Sequence, residues 1–100
     1  MLNLEKEVKI QLDEYRESID NIDSMLVFLL AERFKVTEKV GKLKADNNLP
    51  ASDKNREVKQ RERLELLSAQ AGIKPGFMSG LLNFIIGEVV KNHKKLKKNI

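Results

Sequence analysis

Between Val8 and Leu43 apolar residues recur at alternating steps of four and three: Val8, Leu12, Tyr15, Ile19, Ile22, Leu26, Leu29, then Val36, Val40 and Leu43. That is the period of one face of one long helix. Between Leu29 and Val36 the repeat falls on Arg33. A guanidinium on an apolar seam needs a hydrogen-bond acceptor, so Arg33 marks the point where the pattern of a bundle becomes the pattern of a site.

The helix is expected from about residue 4 to 45, where Asp46, Asn47, Asn48 and Pro50 supply turn chemistry. Forty-odd residues at 1.5 Å each span roughly 60 Å, whereas a compact domain of this length has a radius of gyration of about 13 Å. Such a helix projects beyond its own fold with its seam uncovered, which predicts an intertwined homodimer. Gly41 is its weak point, at about 1 kcal/mol against alanine. Close approach by a neighbour or ligand and simple tolerance explain it equally well.

Pro50 ends the loop, and Ser52 or Asp53 can cap a second helix over 53–71, with Gly72 in the left-handed position that closes it. Its expected inward line is Glu57, Leu64 and Ala71, with Val58 and Leu67 beside it. Pro75 opens a third helix over 75–97, whose apolar line is Met78, Leu82, Ile85, Val89, Leu96 and Ile100. Position 93 lies on that line and holds His93. The fold class is therefore all-α: a three-helix protomer with one very long first helix, forming a single domain over residues 1–100.

Composition narrows the chemistry. The chain has no cysteine, which excludes disulfides, thiol nucleophiles and thiolate metal sites, and its one histidine argues against structural zinc. Gly-rich phosphate loops are absent, and neither cofactor nor metal is expected. The net charge of +4 is concentrated in Lys91, Lys94, Lys95, Lys97 and Lys98, leaving the body nearly neutral. Without interleaved aromatics this reads as a solvated tail complementing a helix dipole, so no nucleic-acid partner is expected. The longest apolar run, Met25 to Ala31, is far short of the roughly 20 residues that cross a bilayer. The amino end is charged where a secretory signal is apolar, so the expectation is a soluble cytoplasmic protein.

Arg33, Glu57 and His93 are polar exceptions on apolar faces, one from each helix. Together they suggest a cavity between helices that holds something polar. Lys44 lies three turns after Arg33, about 20° off in azimuth and roughly 16 Å along the axis, so the two cations could grip a dianion from one face. Arg16, about 25 Å from Arg33 and turned roughly 100°, could join them only across an antiparallel dimer.

The runs Arg16-Glu-Ser-Ile19-Asp20-Asn-Ile22-Asp23, Leu29-Leu30-Ala31-Glu32-Arg33 and Val40-Gly41-Lys42-Leu43-Lys44 resemble the first helix of the all-helical chorismate mutase family. Pro50, Asp53, Arg56 and Glu57 continue the resemblance without a gap, and the register holds through Leu81 to Ile86. The resemblance implies an intertwined dimer that converts chorismate to prephenate, in phenylalanine and tyrosine biosynthesis, by a Claisen rearrangement without cofactor. It implies that Arg33 and Lys44 hold the substrate carboxylates and that Lys44 also reaches the ether oxygen. Arg16 would enter from the partner protomer, and Asp53 and Glu57 would contact the ring-hydroxyl side. Arg56 matches the motif and can serve either substrate or loop. These residue types suit the reaction, because a unimolecular rearrangement needs a held conformation and a stabilised ether oxygen and no nucleophile.

Two positions depart from the family pattern. His93 stands where the family usually carries glutamine, or glutamate in some fungal enzymes, donating to the ether oxygen; an imidazole can donate from one neutral tautomer or, more strongly, as imidazolium. Val89 stands where a hydroxyl residue is common. The nearest alternative is isochorismate pyruvate lyase of the same fold, although the Asp53, Arg56, Glu57 run looks more like the mutases. A non-enzymatic helical module, with Arg33 and Glu57 as paired buried charges, is the alternative of a different class.

Overall fold

A computed structural model of the chain describes residues 2–98. It contains α1 (Leu2–Asp46), α2 (Lys54–Ala71) and α3 (Phe77–Lys98), and no strand among the described residues. Ile100, expected on the α3 apolar line, lies outside them. None of the three helices is long and apolar enough to cross a membrane among the described residues. The chain divides into one unit ending at Lys35 and another beginning at Val36.

The first unit is helical from Leu2 onward, and none of its residues from 3 to 35 is buried. Tyr15, Ile19, Ile22, Phe28 and Leu29 are each more than half exposed. Helical stability comes mostly from packing an apolar face, and within this unit that face is exposed.

The second unit comprises the last turns of α1 with α2 and α3. Its α1 segment turns an unexpected side toward the rest of the unit. Thr37, Gly41, Lys44 and Ala45 are the covered positions, whereas Val36, Val40 and Leu43, on the seam expected to need a second chain for cover, are exposed. The covered line is one residue, about 100°, around the helix from the most apolar one. Its small side chains allow close approach, and the larger aliphatic residues stay outside.

The caps are made as the sequence suggests. Asn48 takes the left-handed conformation (φ 53°), Leu49 N–H donates to Lys44 O at 2.8 Å, and Asn48 N–H donates to Ala45 O at 3.3 Å, a Schellman closure with asparagine in place of glycine. Asp53 caps α2, its carboxylate accepting the Arg56 N–H at 3.1 Å. Gly72 (φ 76°) ends that helix, and Ile73 N–H reaches Ser68 O at 2.9 Å. The buried line of α2 passes through Glu57 and Ser68 with Leu64 half-buried. Ala71, expected inside, is exposed: fourteen residues after Glu57 it has drifted about 40° around the helix, whereas Ser68, eleven residues after Glu57, lies within about 20° of it. Val58 and Leu67 are exposed as well.

Residue 75 does not open α3. Pro75 and Gly76 form a turn in which Gly76 is left-handed (φ 87°), and the helix begins at Phe77. A glutamate latches this turn: Glu65 accepts the Gly76 N–H at 3.1 and 3.2 Å and the Ser79 hydroxyl at 2.6 Å. One turn earlier in α2, Arg61 Nε donates to Asn83 Oδ1 at 3.0 Å, so α2 and α3 run antiparallel. Along α3, Leu82 and His93 are buried and Met78, Ile85, Val89 and Leu96 are half-buried, the line expected from the sequence.

The Ser79 hydroxyl first, and the Gly76 amide second, hold the Glu65 carboxyl below its ordinary value of 4.5. A carboxyl lowered on folding adds stability that is fully present above its unfolded value and is lost as pH falls through the folded one. Urea midpoints of wild type and Glu65→Gln should therefore differ at neutral pH and converge in acid below the ordinary glutamate range. A constant offset across that range would show that the latch does not depend on the charge.

Candidate functional site

Two of the seven candidate residues lie in the first unit. Arg16 is exposed. Arg33 is half-buried, and its Nη1 is fully enclosed with no hydrogen-bond partner among the described residues.

The other five lie in the second unit: Lys44, Asp53, Arg56 and Glu57 at or beside the loop joining α1 to α2, and His93 on α3 against the last turns of α1. Lys44, half-buried in the last turn of α1, donates to the Ala51 carbonyl at 3.3 Å. That bond ties the ammonium to the loop whose next residues begin α2. Lys44 and Asp53 share a shallow concavity of about 300 Å³, walled also by Leu49, Pro50, Ser52, Lys54 and Asn55. Asp53 spends one oxygen on the cap. Arg56 is exposed, and its backbone amide makes the recorded contact.

Glu57 is only 7% exposed. It accepts the Ser52 hydroxyl at 3.4 Å and lies 3.5 Å from the exposed Lys54 ammonium. Both partners are local, because a carboxylate in the first turn lies back over the residues that precede its helix. Burying this charge costs free energy that these long contacts offset only in part.

His93 is 4% exposed, and its Nε2 lies 2.8 Å from the Thr37 carbonyl oxygen. A carbonyl only accepts, so Nε2 carries the proton. Nδ1 is enclosed and meets no hydrogen-bond partner among the described residues. The neutral ring thus has no second N–H to offer.

Gly41 explains how the ring reaches a helix carbonyl. A Cβ there would lie 2.5 Å from His93 Cδ2, 2.9 Å from Nε2 and 2.9 Å from Leu96 Cδ1. Close approach by a neighbour, and not tolerance, accounts for the glycine. The groups that engage these side chains, namely the Thr37 and Ala51 carbonyls and the Ser52 hydroxyl, were not legible in the sequence. Backbone acceptors carry no residue-type signal, and only Gly41 pointed toward one of them. Among the described residues no group of three or more His, Asp or Glu could hold a metal ion.

The sequence profile of the family described as "Chorismate mutase type II" matches residues 15–94, a span that contains every candidate from Arg16 to His93. The chain is similar to two proteins named "Bifunctional chorismate mutase/prephenate dehydratase". That of Buchnera aphidicola subsp. Acyrthosiphon pisum is 37% identical over 84 residues, covering 84% of this chain and 22% of that protein. That of Buchnera aphidicola subsp. Schizaphis graminum is 35% identical over 88 residues, covering 88% and 23%. The "T-protein" of Haemophilus influenzae is 29% identical over 84 residues, covering 84% and 22%. The chain thus spans less than a quarter of the length of these curated relatives.

Replacing Gly41 by alanine gains about 1 kcal/mol of helix propensity and loses about 1–3 kcal/mol to overpacking against a ring held by its own hydrogen bond. The expected outcome for Gly41→Ala is net destabilisation, read as a lower urea midpoint. A raised midpoint would mean that His93 moves aside without cost.

Proposed function

Because the chain belongs to the type II chorismate mutase family, we propose that it is itself a chorismate mutase, working as an intertwined homodimer of helical protomers. The observation that carries this reading is the enclosed, unpartnered Nη1 of Arg33 within a matched span that also contains Lys44, Glu57 and His93. An enclosed guanidinium N–H without an acceptor costs about 1–3 kcal/mol, and a substrate carboxylate would supply that acceptor bidentately.

The reaction is an isomerisation. The ether C–O bond of chorismate breaks as a C–C bond forms between the ends of the same six-atom array, electron pairs shift around the ring, and no atom leaves. Catalysis then consists of holding the enolpyruvyl arm over the ring and stabilising the charge that grows on the ether oxygen. Arg33 and Lys44 hold the two carboxylates, and Lys44 also reaches the ether oxygen as a compact charge. Asp53 and Glu57 take the ring-hydroxyl side, with the second oxygen of Asp53 left for that purpose by the cap. Arg56 orders the start of α2.

The exposed apolar face of α1, with Tyr15, Ile19, Ile22 and Leu29, supports the dimer. Pairing that face with a second copy buries both seams and brings Arg16 of one protomer to the site of the other. The protein would act in the cytoplasm on a soluble dicarboxylate.

Purified protein should consume chorismate and release prephenate, and should yield no salicylate from isochorismate. Arg33→Ala should lower kcat/KM by about 10²–10³ while the helical circular dichroism persists, as for the loss of one preorganised charge contact. Mixing inactive Arg16→Ala with inactive Arg33→Ala should restore activity, up to about a quarter of wild type if protomers exchange at random in a two-fold dimer. Failure to complement would place Arg16 in the same protomer's site or outside it.

A further inference from the structure

We propose that Lys54 is a positioning residue: with Ser52 it holds the Glu57 carboxylate by Oε2, and so presents Oε1 to the ring hydroxyl of the substrate. This deepens the mutase reading and rests on it. Both contacts of Glu57 reach the same oxygen. The Ser52 hydroxyl donates to Oε2 at 3.4 Å, and the Lys54 ammonium lies 3.5 Å from it. Oε1 meets no partner among the described residues, yet it is not one of their fully enclosed unpartnered atoms, which are Arg33 Nη1 and His93 Nδ1. A nearly buried carboxylate thus has one oxygen held and the other still reachable.

Local helix energetics do not account for Lys54. It is the first residue of α2, where the helix dipole favours anions and opposes cations. In its pair with Glu57 the lysine precedes the glutamate, which is the weaker order on a helix, and the lysine side chain is 85% exposed. Such a pair adds little to stability. Its effect is geometric. The terminal torsion of glutamate is broad, so a carboxylate anchored by one oxygen keeps an orientation that an unanchored one loses. A residue that goes against the local helix preference while fixing a neighbour is the pattern expected beside a binding site.

The anchor stands where a ligand would enter. Ser52 and Lys54 wall the concavity of about 300 Å³ that Lys44 and Asp53 also wall. In the mutase reading Lys44 takes a carboxylate and Glu57 the ring hydroxyl. That hydroxyl has one proton to donate, and Oε2 already faces two donors. Oε1 is the acceptor left for it. The ring hydroxyl lies outside the six-atom array that rearranges, so this contact is the same in the ground state and the transition state. Loosening it therefore appears in KM and not in kcat.

The test uses two non-reactive bicyclic ether dicarboxylates that mimic the folded substrate and differ only in the ring hydroxyl, with binding to the intact protein followed by calorimetry. Lys54→Met should weaken the hydroxylated probe about five- to tenfold, a part of what one hydrogen bond to a charged group is worth. The Kd of the deoxy probe should not change. In turnover the same variant should raise KM by that factor with kcat held within about twofold, and Lys54→Arg should behave as wild type. In a Glu57→Gln background, adding Lys54→Met should cost nothing further. Equal weakening of both probes overturns the proposal, because Lys54 then meets a substrate carboxylate directly. A Lys54→Met variant that binds the hydroxylated probe as wild type does overturns it as well. If Glu57→Gln does not fold, the comparison of the two probes decides alone. A wild type that binds neither probe and leaves chorismate untouched sinks the mutase reading first, and with it this role.

Discussion

The contact of His93 with the carbonyl of Thr37 is the point on which the second unit turns. In the helix ladder that carbonyl meets the amide four residues on, which belongs to Gly41, and its second lone pair remains available only if nothing stands over it. A side chain at 41 would stand there. Glycine removes it, and α3 comes close enough for an aromatic ring to lie against the α1 backbone with Leu96 beside it. The cost in helix propensity is small against a buried, directed contact between elements 56 residues apart in sequence.

From that contact the remaining polar groups fall into order. The Schellman turn at Asn48 and the cap at Asp53 fix the loop between α1 and α2 from both ends, so the Ala51 carbonyl meets Lys44 and the Ser52 hydroxyl meets Glu57. Side chains at helix termini are held by caps that also satisfy the backbone, which suits groups that must be placed before a ligand arrives. At the far end of the unit the Glu65 latch fixes the α2–α3 turn and so the height at which α3 carries His93.

Helix α1 presents two different faces. The covered one at its carboxyl end is built of Thr37, Gly41 and Ala45, where close approach matters more than apolar area. The other, through Val36, Val40 and Leu43, is apolar and exposed, and continues the pattern that begins at Val8. Hydrophobicity alone marks the exposed face and gives no sign of the row that packs within the unit. An uncovered apolar line needs an occupant, and a packed line needs small residues; the same helix supplies both because its period lets adjacent rows do different work.

The sequence by itself determined three helices, their caps at Asp53 and Gly72, the α3 line through Leu82 and His93, and the residues that carry the family pattern. These follow from local periodicity, turn chemistry and residue type, which are properties of neighbours in the chain. The delayed start of α3 at Phe77, the covered face of α1, the burial of Ser68 in place of Ala71 and the proton position on His93 were decided by tertiary structure. Each depends on a partner distant in sequence, such as the Glu65 carboxylate for the turn at Gly76 or the Thr37 carbonyl for the imidazole. Backbone acceptors are identical in every residue, so which of them meets a given side chain is known only once the helices have docked.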